Sequence, residues 1–143
     1  MQNARDEDNN LLKLTQLVLL QSYHDEFDLL NDGPDPRTPA EPGMVLMPCD
    51  EKDVLSWTQK TEYQSGVGKL LHMMRWSRPD ILNATRELSR HMKKAANRHM
   101  MAMYCVMRYC VATPEQGLFL KPNGVWNGDK DYEFKIVGMS NAN

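Results

Sequence analysis

Residues 61–92 read TEYQSGVGKLLHMMRWSRPDILNATRELSRHM, and this stretch predicts two amphipathic helices joined at a proline. In its first half the apolar residues recur at the i, i+3, i+4 and i+7 spacing of one helical face: Val67, Leu70, Leu71 and Met74. A face of this kind buries its side chains against a neighbouring element. The sequence therefore predicts a core-facing helix here.

The break between the two helices is expected at Pro79. Proline fixes its own φ and pushes the preceding residue out of the α region, so Arg78 is the predicted N-cap. Pro79 then takes the first helical position, and Asp80 lies in the first turn, where the helix dipole favours a carboxylate. On this second helix one face is apolar and the other cationic. The apolar set is Ile81, Thr85, Leu88 and Met92, and the cationic set is Arg86, Arg90, Lys93 and Lys94.

The net charge of −2 conceals a strong asymmetry along the chain. Residues 1–68 hold five Lys or Arg against thirteen Asp or Glu, whereas residues 69–108 hold nine against two. A cationic block inside an acidic chain is the pattern expected when one face meets an anionic partner. A solvated helical face would have the same composition, so charge alone leaves both interpretations open.

The N-terminal part of the chain predicts a tail, a strand and a helix. Residues 1–10 are polar and predicted to be disordered, and residues 11–14 fit a short strand. A helix follows over residues 16–30, with Thr15 as its N-cap and Leu20, Tyr23, Phe27 and Leu30 on one face. Five prolines and two glycines then predict a long loop over residues 31–60.

A third helix is predicted over residues 97–111, with an apolar stripe rich in Met: Met100, Met103, Tyr104, Met107 and Val111. A Met-rich bundle core and an adaptable binding groove both fit this stripe, and the core is favoured. Residues 117–121 and 134–138 predict two strands of a C-terminal hairpin. The predicted fold class is α+β, predominantly α, with an N-terminal helix, a proline-rich loop, a three-helix bundle and a hairpin.

Few residues suggest a reactive site. The cysteines Cys49, Cys105 and Cys110 have no C-x-x-C spacing and are predicted to be free thiols, and the four histidines are scattered. Residues 66–68, Gly-Val-Gly, lack the third glycine and the preceding strand of a dinucleotide site, which favours close helix packing. No apolar run approaches about 20 residues and the N-terminus is acidic, so an intracellular protein without membrane contact is expected.

Several short sequence motifs of the chain occur in the same order as in a known protein family. Residues 63–71 read YQSGVGKLL, residues 77–81 read SRPDI and residues 88–92 read LSRHM. They resemble the Y-x-S-x-V-G-x-L, T/S-R-P-D-I and L-S-R-x-M series of copia-type retrotransposon Pol polyproteins, which follows the reverse transcriptase palm. Uncommon words that match together in order and spacing make this resemblance specific.

The resemblance covers residues 11–143 and implies a division of the chain. Residues 11–30 would be the end of the palm and a linking helix, 31–60 the proline-rich loop, and 61–112 a thumb-like bundle. Residues 113–143 would be the connection that runs into the first strand of the ribonuclease H domain. Because the palm is the natural neighbour of the linking helix, its apolar face is expected to be exposed in this chain alone.

The catalytic carboxylates of the family are missing from the sequence. There is no Y-x-D-D-like turn, and Asn141 and Asn143 stand where the ribonuclease H strand of the family has aspartates. A neutral amide cannot supply the charge that holds paired Mg²⁺ ions. We therefore expect no enzyme activity, metal or cofactor in this chain, and Mg²⁺ only in the parent polymerase and ribonuclease H.

Thumb helices of the family lie along the nucleic-acid backbone. The resemblance thus implies two partners: an RNA or DNA template–primer duplex, bound weakly and without sequence preference, and the remainder of the reverse transcriptase. Two other hypotheses are an inert remnant of a degenerate element and a helical protein-interaction module. The candidate phosphate contacts are Lys69, Arg75, Arg78, Arg86, Arg90, Lys93, Lys94 and Arg98.

Overall fold

A computed structural model describes residues 2–6, 11–27, 29 and 36–121. In this part of the chain the helices are α1 (Leu17–Phe27), α2 (Trp57–Trp76), α3 (Leu82–Ser89) and α4 (Asn97–Ala112). The strands are β1 (Gln2–Asp6), β2 (Leu11–Thr15) and β3 (Leu118–Leu120). The predicted class, α+β and predominantly α, is confirmed. None of the described helices is both long enough and apolar enough to cross a membrane.

The described strands form one antiparallel sheet with β2 in the centre. β1 lies in the tail that was predicted to be disordered. It forms a strand because it pairs with one edge of β2, with Ala4 opposite Lys13. β3 pairs with the other edge of β2, with Leu14 opposite Leu118. The strand predicted at residues 117–121 is thus present, but its partner here is N-terminal; residues 134–138 lie outside the described residues.

The N-terminal helix is shorter than predicted and its apolar face is covered. Thr15, the predicted N-cap, belongs to β2, and α1 begins at Leu17. Leu20, Tyr23 and Phe27 are buried in the core cluster with residues of α2 and α4. The expectation of an exposed patch on this helix was therefore wrong, because the chain supplies its own partner for that face.

The helix α2 begins inside the stretch predicted to be a loop. The amide N–H of Gln59 donates to Ser56 Oγ, and the Ser56 N–H donates back to the Gln59 side-chain oxygen. This reciprocal pair is a capping box, so α2 starts at Trp57 rather than after residue 60. Residues 36–50, which hold four of the five prolines of the predicted loop, form neither helix nor strand.

The junction before α3 has the predicted local chemistry. Arg78 caps a 3₁₀ turn over Pro79–Ile81, with proline at the first helical position, and α3 continues from Leu82. The helix ends at Ser89 instead of Met92. Ser89 Oγ donates to the Arg86 carbonyl, 2.7 Å away, and this side-chain bond competes with the helical backbone ladder.

The core lies between α2, α3 and α4 and is rich in Met, as the favoured prediction stated. Met73 of α2 and Met103 and Met107 of α4 are almost completely buried. Gly66 allows α4 to approach α2, since a Cβ on Gly66 would lie only 2.4 Å from Met103 Sδ. The predicted close packing is confirmed for Gly66, whereas a Cβ on Gly68 would meet open space.

Candidate nucleic-acid interface

The end of α3 and the turn after it carry a group of exposed cations. Arg86, Arg90 and Lys93 are exposed, as is Lys94. The opposite face of α3 is buried through Thr85 and Leu88. Arg86 and Arg90 are four residues apart, and Arg90 has helical dihedral angles, so their Cβ atoms lie on the same side of the helix. We call Arg86, Arg90, Lys93 and Lys94 the α3 cation cluster.

Local interactions explain part of the positive charge at the end of α3. Arg90 Nη1 lies 3.1 Å from a carboxylate oxygen of Glu87, one turn earlier on the helix. An exposed ion pair of this kind contributes little to stability and is screened by salt. Cations near a helix C-terminus are also favoured by the helix dipole. Arg86 and Lys93 add positive charge beyond this single ion pair, and their side chains reach solvent.

Arg78 is buried, and this contradicts its prediction as a phosphate contact. The residue is 2% exposed. Its guanidinium donates to Asp80 through Nε and Nη2, and to Thr113 and Gln116 through Nη1 and Nη2. Burial opposes the charge, but the hydrogen bond and charge of Asp80 outweigh it and raise the pKa of Arg78. Arg78 is a structural residue because its donors are already engaged inside the fold.

Lys69 also has a role within the fold. Its Nζ lies 2.5 Å from the Glu26 carboxylate and 5.4 Å from the centroid of the Phe27 ring, so it joins α2 to α1. Arg98, at the start of α4, donates to the Pro48 carbonyl and holds the proline-rich loop. These two predicted contacts therefore do not join the α3 cation cluster.

The remaining predicted contact, Arg75, lies at the end of α2 beside an exposed tryptophan. The Arg75 guanidinium carbon is 5.7 Å from the centroid of the Trp76 ring. A groove of about 510 Å³ opens here, between the last turns of α2 and the start of α3, where Pro79 and Leu82 lie. Its lining residues include Arg75 and His72 and no carboxylate.

A second cleft lies on the other flank of α3, under residues 39–45 of the proline-rich loop. Arg86 lines it together with three carboxylates, Glu41, Asp80 and Glu87. Burial alone would raise the pKa of Asp80, but the hydrogen bond and charge of Arg78 hold it below its ordinary value, so this carboxylate is charged. The inside of this cleft has no excess of positive charge and is a poor site for phosphate, so Arg86 would contact a phosphate only through the part of its side chain that is exposed to solvent.

Two histidine rings stack beside the α3 cation cluster. The centroids of His91 and His99 are 4.3 Å apart, with their planes inclined by 32°. The Ala96 N–H donates to His99 Nδ1 at 2.9 Å, so the ring proton is on Nε2, which donates to the Met47 carbonyl at 3.1 Å. Burial, the neighbouring His91 and the charge of Arg98 lower the pKa of His99. His99 is therefore neutral, and its hydrogen bond to Met47 links α4 to the proline-rich loop.

The described residues contain no group of three or more His, Cys, Asp or Glu side chains that could hold a metal ion. The cysteines of this part are free, as predicted, and burial raises the pKa of Cys110 to about 12, which keeps it a thiol. Asn141 and Asn143, which bear on the catalytic prediction, lie outside the described residues.

Sequence reasoning missed the groove beside Trp76. The signal was present, because Trp76 lies off the apolar stripe of α2 and directly follows an arginine. A large aromatic residue off the core face of a helix indicates either an exposed indole or a contact with another element. The capping box at Ser56 was the other missed signal, and it would have fixed the start of α2.

Two proteins of Arabidopsis thaliana resemble this chain over about half of its length. The retrovirus-related Pol polyprotein from transposon RE1 is 36% identical over 84 residues, which is 52% of this chain and 6% of that polyprotein. The retrovirus-related Pol polyprotein from transposon RE2 is 35% identical over 81 residues, 50% of this chain and again 6% of the relative. No protein-family model and no solved structure matches the chain. The predicted resemblance to copia-type Pol polyproteins is confirmed, and the chain is similar to a small part of them.

Proposed function

We propose that this chain, which is similar to a segment of retrotransposon Pol polyproteins, is the non-catalytic thumb and connection region of a copia-type reverse transcriptase. In this role the α3 cation cluster contacts the phosphate backbone of the template–primer duplex. The observation that carries the proposal is that α3 buries one face in the Met-rich core, whereas Arg86 on its other side and Arg90 and Lys93 just after it are exposed.

The chemistry of this face suits backbone contact and not base readout. Lys and Arg side chains neutralise phosphates and release counterions, and this term is independent of nucleic-acid sequence. Three or four such contacts produce weak binding that decreases with salt. Arg86 and Arg90 are about 6 Å apart along the helix axis, because Arg90 continues the helical dihedral angles of α3, so the two can meet different phosphates of one strand.

The partners in this proposal are an RNA or DNA template–primer duplex and the remainder of the reverse transcriptase. The α1 face that we expected to meet the palm is already covered within this chain, so contact with the palm would use other surfaces. The alternative of a Met-rich docking module has less support, because Met103 and Met107 of α4 are buried between helices.

The experiment is a salt titration of binding to a labelled primer–template duplex, followed by fluorescence anisotropy. We expect a linear decrease of log K with log salt, with a slope of about −3 to −4 for three or four phosphate contacts. Duplexes of unrelated sequence should give the same curve. Absence of binding at about 50 mM salt would favour the inert-remnant hypothesis, and a binding curve insensitive to salt would contradict phosphate contact.

A further inference from the structure

The groove between the end of α2 and the start of α3 presents two large apolar side chains to solvent. Trp76 is 49% exposed and Leu82 is 47% exposed, and Leu71, Met74 and Pro79 form the rest of the apolar lining. Exposed apolar residues that are scattered need no explanation, but several of them around one groove indicate a binding surface. The volume, about 510 Å³, is that of a small-ligand site.

The lining of this groove holds one arginine and no carboxylate. Arg75 lies over the Trp76 ring, and His72 is the other titratable residue of the lining. The cleft under the proline-rich loop differs, because three carboxylates line it. An occupant of the Trp76 groove therefore combines a flat or apolar body with negative charge.

Leu82, at the edge of the groove, lies in line with two residues of the α3 cation cluster. Leu82, Arg86 and Arg90 follow at intervals of four residues on the exposed side of α3. Arg86 is about 6 Å and Arg90 about 12 Å from Leu82 along the helix axis. A strand whose phosphates lie along these arginines would therefore run toward the groove.

We propose that this groove holds one unpaired nucleotide at the end of the bound duplex, with its base against Trp76 and its phosphate near Arg75. Base stacking on aromatic side chains, with Arg supplying the phosphate contact, is the general mode of single-strand binding, and every base has a face that can stack. This inference rests on the proposed function, since it assigns the single-stranded extension of the same template–primer to a site beside the cluster.

The test compares two probes, a blunt duplex and the same duplex with a short single-stranded extension. One stacked base contributes about 1–3 kcal/mol, so the wild-type chain should bind the extended probe about 5- to 150-fold more tightly. Trp76→Leu should remove this preference while the affinity for the blunt duplex and its salt slope stay the same. Trp76→Phe should keep part of the preference, because a smaller ring still stacks.

Trp57 supplies the matched control, since it lies at the other end of α2 and is 81% exposed. Trp57→Leu should leave the preference for the extended probe unchanged. Circular dichroism measures whether each variant is folded. Arg75→Gln is a second variant, which leaves the indole of Trp76 in place. This variant should lower the preference for the extended probe without abolishing it.

Several outcomes would overturn the inference. Equal affinity of the wild-type chain for both probes, or equal losses in Trp76→Leu and Trp57→Leu, would contradict a stacking site at Trp76. Binding of an acidic amphipathic peptide that depends on Trp76, with neither nucleic-acid probe bound, would make the groove a protein-docking site. Failure of the proposed function is distinguishable: the chain would then bind an isolated single strand through Trp76 but not the blunt duplex.

Discussion

Arg78 Nη1 donates a hydrogen bond to the carbonyl oxygen of Thr113, 2.9 Å away, and so joins the N-cap of the turn before α3 to the C-cap of α4. The same guanidinium pairs with Asp80 and lies 5.3 Å from the centroid of the Tyr109 ring. The contact fixes the position of α3, and thereby the direction in which its exposed cations point.

The substitution Arg78→Lys should destabilise the fold while it keeps the charge. A lysine ammonium cannot reproduce the planar fork that reaches both Asp80 and Thr113. Each lost hydrogen bond to a charged group costs about 1.5–3 kcal/mol, so we expect a loss of about 2–3 kcal/mol in the free energy of unfolding. Urea denaturation measures it, and a change below about 0.5 kcal/mol would contradict the structural role of this residue.

The substitution Gly68→Ala should stabilise the fold. Gly68 is an exposed interior residue of α2, and a Cβ there would have no neighbour within 4 Å. Alanine is favoured over glycine inside a helix by about 0.5–1 kcal/mol, and we expect this gain in the free energy of unfolding. A loss of stability would show that the space above Gly68 is occupied.

The matched substitution Gly66→Val should have the opposite effect. Its Cβ would lie 2.4 Å from Met103 Sδ and 2.9 Å from Met107 Cε, so both Met side chains must move. Overpacking of this kind costs about 1–3 kcal/mol. Thermal denaturation of both glycine variants beside the wild-type chain checks the contrast, and a neutral Gly66→Val would argue against close contact of α2 and α4.

Stability should decrease in mild acid because of His99. Its pKa is lowered in the folded chain, chiefly by burial, so the folded state binds fewer protons than the unfolded state. The stabilising contribution is fully present above the unfolded pKa of about 6.5 and is lost as pH decreases through the lower, folded pKa. Protonation also removes the Nδ1 acceptor of the Ala96 N–H.

Urea denaturation at about pH 7.5 and about pH 5.5 measures this effect. In the wild-type chain the free energy of unfolding should be lower at the acid pH. The His99→Gln variant should be less stable at neutral pH and should show a smaller decrease, because the titrating group is gone. An identical acid decrease in both proteins would assign the effect to other groups.

The chain should be inactive in primer extension and in cleavage of the RNA strand, with Mg²⁺ or Mn²⁺ added. The physical reason is that the sequence lacks the metal-binding carboxylate motifs of such enzymes: it has no Y-x-D-D-like word, and Asn141 and Asn143 stand where the pattern that it resembles has aspartates. Metal-dependent product that co-purifies with the chain through several chromatographic steps, and that is absent from a mock preparation, would refute this expectation.

Local chemistry was readable from the sequence. Pro79 sets its own φ and restricts the residue before it, so the junction before α3 follows from two adjacent residues. The Met stripe of α4 has helical periodicity, and its face is buried as that periodicity predicts. The exposed positions of Arg86 and Arg90 follow from the same reasoning applied to α3.

Non-local pairing was not readable. β2 pairs with β1 on one edge and, on the other, with β3, which is more than a hundred residues away in sequence. The alternation of residues within a strand does not identify the strand with which it pairs. Lys69 and Arg78 illustrate the same limit at the candidate site. Each looks like a surface cation in the local sequence. In the structure Lys69 pairs with Glu26 and Arg78 donates to Thr113, and both partners are distant in sequence.

The measurement that tests the account most directly is the salt dependence of duplex binding after three residues of the α3 cation cluster are neutralised. The variant replaces Arg86, Arg90 and Lys93 by Gln, three exposed residues whose loss leaves the core intact. The control replaces Arg37, Lys52 and Lys60 by Gln, which changes the net charge by the same amount away from α3. Circular dichroism and urea denaturation establish that both variants are folded.

If each of the three cations meets one phosphate, the slope of log K against log salt should become shallower by about 2 to 3 units in the cluster variant. The control variant should keep the slope of the wild-type chain within about 0.5 unit. Equal slopes in the wild-type chain and the folded cluster variant would contradict the account and identify the cations of α3 as a solvated helical face.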